Sequence, residues 1–184
     1  MNETTLKVWA AEALQTPVYP DKRFPPSPYY RFLQIAARNL QPQLSVELGV
    51  SGGGGSLHLS AGWPHGQVVG IDVVEDHKER TDYIKEHYPK FSLWIGDSIE
   101  LAQSVRLQYG PVGILFVDTI HTKSRTENEF EAWEPYLTDN AIVCFDDLHR
   151  KEMNGFWDEL AGKKVRLDML HPGSTEGGFG VWWK

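Results

Sequence analysis

The chain has 184 residues, 41% of them hydrophobic and 23% charged, with a net charge of −7, which is enough for one domain with a sizeable core and short for two. The acidic balance, with no cluster of Lys and Arg, excludes a nucleic-acid partner, since phosphate backbones are held by clustered cations. No apolar run approaches the ~20 residues that cross a bilayer, the opening MNETTLKVWAAEALQTP lacks the basic-then-apolar order of a secretion signal, and the one cysteine, Cys144, suits a reducing compartment, so the expectation is a cytoplasmic protein with no membrane partner.

Residues 4–15 predict a short helix. DKRFPPSPYY (21–30) is an aromatic, proline-rich loop, because proline has no amide donor and clashes with the preceding turn. YRFLQIAARNL (30–40) then sets Phe32, Leu33, Ile35, Ala36 and Leu40 at helical spacing. Residues 1–43 therefore form an N-terminal segment whose loop has two open arrangements, a lid over the site or a packed arm. From residue 44 the chain alternates. Apolar runs at 44–50, 68–74, 91–96, 112–118 and 141–147 predict strands, with helical stretches at 55–61, 76–88, 98–109, 123–137 and 149–161. Such alternation is the signature of parallel β-α-β units covered on both faces. Two further strands, KVRLDML (164–170) and GFGVWWK (178–184), are joined by HPGSTEGG, too short for a crossover helix. The expected fold is α/β: a single domain with a doubly wound, Rossmann-like, seven-stranded and mostly parallel sheet whose last strand is antiparallel.

In such sheets ligands bind outside the carboxyl ends of the strands. Those ends carry Glu47 and Gly49, Asp72, Asp97, Asp118, and Asp146 with Asp147. The run Gly52 to Gly55 after the first strand predicts a strand-to-helix turn that a ligand approaches closely, four glycines being more than a tight turn needs. The spacing does not meet G-x-G-x-x-G: Ser51 stands two beyond Gly49, and Leu57 follows Gly52-x-Gly54-x-x. An acid ahead of the turn also suits an ammonium better than a phosphate.

VELGVSGGGGS, then GIDVV, then GDS together resemble class I S-adenosylmethionine-dependent methyltransferases. LFVDTIHTKSRTENEFEAWEPYLTDNAIVCFDD is similar to their small metal-dependent O-methyltransferase branch, which includes cephalosporin-hydroxylase-like proteins and macrolide sugar O-methyltransferases. The resemblance spans residues 44–184. It implies cofactor contacts at Glu47 and Gly49 beside the methionine part, Gly53 and Ser56 in the turn, Asp72 on the ribose hydroxyls, and Asp97 with Ser98 at the adenine. It also implies metal ligands at Asp118, Asp146 and Asp147, with His121 as base beside Asp118. Relatives commonly read D-G-D-H where this chain has Asp118-Thr119-Ile120-His121. Capping explains some of the acids equally well, Asp97 before SIELAQ above all. Three carboxylates converging without a cation would be unfavourable, and oxygen ligands alone favour Mg²⁺. The expected activity is metal-assisted O-methylation of a small hydroxylated molecule such as a sugar, vicinal diol or catechol-like compound. A non-catalytic S-adenosylmethionine-binding domain and a dinucleotide-dependent oxidoreductase are the alternatives, and assembly into a homo-oligomer stays open.

Overall fold

The computed structural model describes residues 1–15, 23–24, 27–172 and 177–184. Seven strands form one sheet in the order β3-β2-β1-β4-β5-β7-β6. They are β1 (Leu44–Leu48), β2 (Gln67–Asp72), β3 (Phe91–Ile95), β4 (Val112–Val117), β5 (Leu137–Phe145), β6 (Lys163–Arg166) and β7 (Gly180–Trp183). β1 to β5 pair in parallel, and β7 runs antiparallel to both β5 and β6. Order reverses between β1 and β4, and that crevice is where a doubly wound sheet takes its ligand.

Period-two alternation divides the strands between two cores. Ile114, Phe116, Ile142 and Cys144 face α1 (Glu3–Gln15), α2 (Pro28–Leu40), α3 (Gly54–Gly62) and α4 (Lys78–His87). Leu44, Val46, Leu115, Val117, Val143 and Phe145 face α5 (Ser98–Tyr109), α6 (Lys123–Trp133) and α7 (Lys151–Glu159). With both faces covered, these strands read as nearly continuous apolar runs.

The N-terminal helices belong to the first core. Leu6, Trp9, Ala10 and Ala13 of α1 and Phe32, Leu33, Ile35, Ala36 and Ala37 of α2 are buried. Arg31 Nε donates to the Ala13 carbonyl at 2.7 Å and ties the two helices together. Most of the stretch expected as a lid, residues 16–22 and 25–26, lies outside the described residues. Several boundaries differ from expectation: α2 already starts at Pro28, inside the expected loop, and β5 at Leu137, four residues early. α6 ends at Trp133, and Pro135 sits in a 3₁₀ turn (Glu134–Tyr136) where a longer helix was expected. β6 stops at Arg166, because Asp168 opens another 3₁₀ turn and accepts the Arg166 side chain and the Phe179 amide.

Candidate active site

A cavity of about 390 Å³ opens at the switch point, lined among others by Gly49, Ser51, Asp72, Asp97, Ser98, Asp118 and Arg125. Gly49 is there by necessity. Its φ is +84°, and a Cβ would stand 2.7 Å from the Asp118 carbonyl carbon. The backbones leaving the parallel neighbours β1 and β4 thus approach closely at their carboxyl ends, with no side chain between Gly49 and Asp118. Ser51, His121 and Asp147 also hold left-handed backbone, at φ 39°, 52° and 55°. Non-glycine residues in that region gather where function over-determines the backbone, and these three sit at the strand-end edge.

Asp72 accepts the Ser51 amide at 2.8 Å, which pins the turn after β1 to the end of β2. It caps no helix, since α4 begins at Lys78 behind His77. Asp97 does cap α5, accepting from the Ile99 amide at 2.8 Å. Its other oxygen takes Arg125 Nη1 at 2.8 Å, and that guanidinium holds the carboxyl below the usual range. Capping and cavity lining are therefore one residue's two roles. Ser98 donates to Glu129 Oε1 at 2.6 Å and accepts from Arg125 Nη2 at 2.7 Å.

Packing supplies a reason for the glycine run beside the one expected. None of Gly52 to Gly55 is among the cavity-lining residues. Each is instead pressed by a side chain from elsewhere: Gly52 by Arg80, Gly53 by Ile84, Gly54 by Tyr30, and Gly55 by Phe116 and Glu47. A Cβ on Gly54 would meet the Tyr30 ring at 2.5 Å, and one on Gly55 would meet Phe116 at 2.9 Å. Gly53 and Ser56 thus shape the turn from behind the cavity. Glu47 also stands behind it, 1% exposed, its carboxylate taking the Ser56 amide at 2.7 Å and the Ser56 hydroxyl. Burial pushes its pKa up to about 8, against the opposing pull of Ser56.

At the ends of β4 and β5 the three aspartates each have a basic partner. His121 Nε2 lies 3.1 Å from Asp118 Oδ1, and its Nδ1 lies 3.7 Å from Asp147 Oδ2. His171 Nε2 sits 2.7 Å from Asp146 Oδ1, and Arg150 Nε sits 2.7 Å from Asp147 Oδ2. Burial, with the charge of Asp146, raises both Asp118 and Asp147. Burial alone would lower His121, but the bond to Asp118 and the two carboxylate charges outweigh it and raise it. Asp146 and Asp147 do not cap α7, whose capping position is Arg150. The expected ligand set is not assembled as the side chains stand: among the described residues no three His, Cys, Asp or Glu groups are gathered to hold an ion. The carboxylates are turned to basic side chains, with His121 shared between Asp118 and Asp147.

Arg125, Glu129, Thr119 and His171 were not singled out in the sequence. The i,i+4 pair Arg125–Glu129 on α6 was the one available signal. His171 gave none, as its tie to Asp146 spans 25 positions of chain. Tyr29 stacks on His171, ring centroids 4.5 Å apart, and so walls the Asp146 side.

A family model described as a methyltransferase domain matches residues 46–148, more than half of the chain. The chain belongs to this family. Solved structures share the fold of this methyltransferase domain at low identity. The O-methyltransferase from Bacillus cereus in complex with SAH is 15% identical over 100% of this chain and 92% of that one, with a TM-score of 0.68. The O-methyltransferase TomG from Streptomyces achromogenes, involved in tomaymycin synthesis and solved with SAM, is 17% identical over 100% and 91%, also at 0.68. MycE methyltransferase from the mycinamycin biosynthetic pathway, solved with Mg and SAH, is 23% identical over 82% and 41%, at 0.53. A search of curated protein sequences gives no match. Among the described residues of the methyltransferase domain, no helix is long and apolar enough to cross a membrane.

Proposed function

We propose that the chain is an S-adenosylmethionine-dependent O-methyltransferase acting on a small hydroxylated molecule in the cytoplasm. The observation that carries this reading is the cavity at the β1/β4 switch point, with Asp72 and Asp97 on its wall and Asp118 at its edge. The residues suit the cofactor: Asp72 offers acceptor oxygens to a vicinal diol, and Gly49, with no side chain, leaves the end of β1 bare for close approach. When bound, S-adenosylmethionine supplies the methyl group. Asp72 and Asp97 hold the nucleoside end, and the β4 end with Asp118 and His121 receives the acceptor. With Nε2–H donating to Asp118, the accepting nitrogen of His121 is Nδ1, which faces Asp147 Oδ2 at 3.7 Å, beyond hydrogen-bond distance, and takes the proton of an acceptor hydroxyl that enters there. Asp118 then stabilises the imidazolium, as an orienting carboxylate does for a histidine base.

A second reading keeps a divalent cation, Mg²⁺ first, at Asp118, Asp146 and Asp147. Burial, with the charge of Asp146 beside it, raises Asp118 and Asp147 and favours it, since a hard cation would stabilise all three carboxylates in their ionised form. It requires them to leave His121, His171 and Arg150. A bound cation would favour the ionised form of a hydroxyl and restrict the acceptor to neighbouring oxygens, a vicinal diol or catechol.

Release of S-adenosylhomocysteine across a panel of hydroxylated small molecules tests the activity. Running wild type and Asp146→Ala with EDTA or added Mg²⁺ separates the two readings. Full activity in EDTA supports the histidine base alone, whereas loss in EDTA restored by Mg²⁺ supports the cation. Failure of both S-adenosylmethionine and S-adenosylhomocysteine to bind in calorimetry would overturn the function.

A further inference from the structure

Arg125 reaches three partners with its three nitrogens: Nη1 to Asp97 Oδ2 at 2.8 Å, Nη2 to Ser98 Oγ at 2.7 Å, and Nε to Glu129 Oε1 at 2.9 Å. Four residues on, Glu129 is fully buried and takes Ser98 Oγ on one oxygen and Thr119 Oγ1, at 2.8 Å, on the other. Four residues further, Trp133 Nε1 donates to the Ser98 carbonyl at 3.1 Å. Side chains four apart lie on one stripe of a helix, so a single face of α6 grips the turn that carries Asp97 and Ser98. Through Thr119 the same stripe holds the segment after β4. Arg125 itself is exposed to the cavity and brings a positive charge to its wall.

Such an arrangement exceeds what folding needs of that turn. The Asp97 cap on α5 is already made by its Oδ1 with the Ile99 and Glu100 amides. Oδ2 is left over, and Arg125 fixes where it points. A lone aspartate at a strand end turns about two side-chain torsions, but one held by a cap and a guanidinium fork has a single orientation into the cavity.

We propose that Arg125 is a positioning residue for the nucleoside end of the cofactor, acting through Asp97 and Ser98 and held in turn by Glu129. The inference rests on the proposed cofactor site and adds a determinant outside the strand-end acids. It places the effect on the adenosine part of the ligand, whichever group completes the other end.

The test is calorimetric binding of S-adenosylhomocysteine and of 5′-methylthioadenosine, which lacks the amino-acid part, with thermal unfolding measured alongside. Arg125→Lys keeps the charge, but its three donors share one nitrogen and cannot span the partners that Nε, Nη1 and Nη2 of the guanidinium reach separately. The double variant Arg125→Met with Glu129→Gln removes both charges together, so that no buried carboxylate is left alone. Both variants are expected to weaken both ligands by a similar factor, on the order of tenfold, the loss of one charge-assisted hydrogen bond. The melting temperature of the double variant should stay close to that of wild type. Unchanged affinity in both variants, or a loss confined to S-adenosylhomocysteine, overturns the proposal while leaving the cofactor site intact. A wild type that binds neither ligand overturns the site and this role with it.

Discussion

Glu47 offers a quantitative test of the site's electrostatics. Its carboxyl is 1% exposed and has Ser56 as hydrogen-bond donor from both amide and hydroxyl. Burial raises its pKa from 4.5 to about 8. The folded state therefore binds this proton more tightly than the unfolded chain does, and stability attributable to Glu47 falls as pH rises between those two values. At 1.36 kcal/mol per pKa unit the full span is on the order of 5 kcal/mol. Glu47→Gln keeps the shape and an oxygen for Ser56 but cannot ionise. The two proteins should have nearly pH-independent differences below about pH 4.5, and the gap should open upward from there. Near pH 9 the glutamine variant should be more stable by several kcal/mol, about the size of that span. Urea unfolding of both proteins at a series of pH values reads the gap directly. A gap that does not change with pH, or a glutamine variant that is the less stable at alkaline pH, would refute the argument that burial dominates at this residue.

Other consequences can be measured with the same material. Gly49→Ala forces a Cβ against the Asp118 backbone at φ +84°, and it should cost at least the ~1–3 kcal/mol of a strained residue; denaturation as late as wild type would contradict the close approach described. If His121 is the base, turnover should rise with pH through a midpoint above 6.5, since its neighbours raise it. Asp118→Asn should move that midpoint to lower pH, and a profile that stays in place would remove Asp118 from the role.

The fold was legible because both sheet faces are covered, so the strands stand out as apolar runs such as Val112–Val117 between helices with polar stretches. Strand-end positions followed from that register, and Asp72, Asp97 and Asp118 do meet at one cavity. Asp97 was also readable as a cap, from its place before SIELAQ. What could not be read was which partner each acid takes. Asp146 finds His171 and Asp97 finds Arg125 across 25 and 28 positions of chain, and no periodicity encodes such distances. For the same reason three aspartates that look like one ligand set in sequence are found here each turned to a basic side chain, with His121 reaching both Asp118 and Asp147.

The glycine run carries one more implication. Four identical letters encode four unequal constraints, because each faces a neighbour of different stiffness. At Gly52 the obstacle is the tip of a long, flexible arginine, which can swing aside. At Gly55 it is a phenylalanine ring fixed in the core and a carboxyl held by Ser56. Gly54 is tied to Tyr30, a residue of the N-terminal segment, so its freedom to vary is owned by a part of the chain outside the 46–148 match. A motif that looks like a unit in sequence comparison is therefore inherited piecemeal, two positions hostage to α4, one to α2, and the last to the sheet itself.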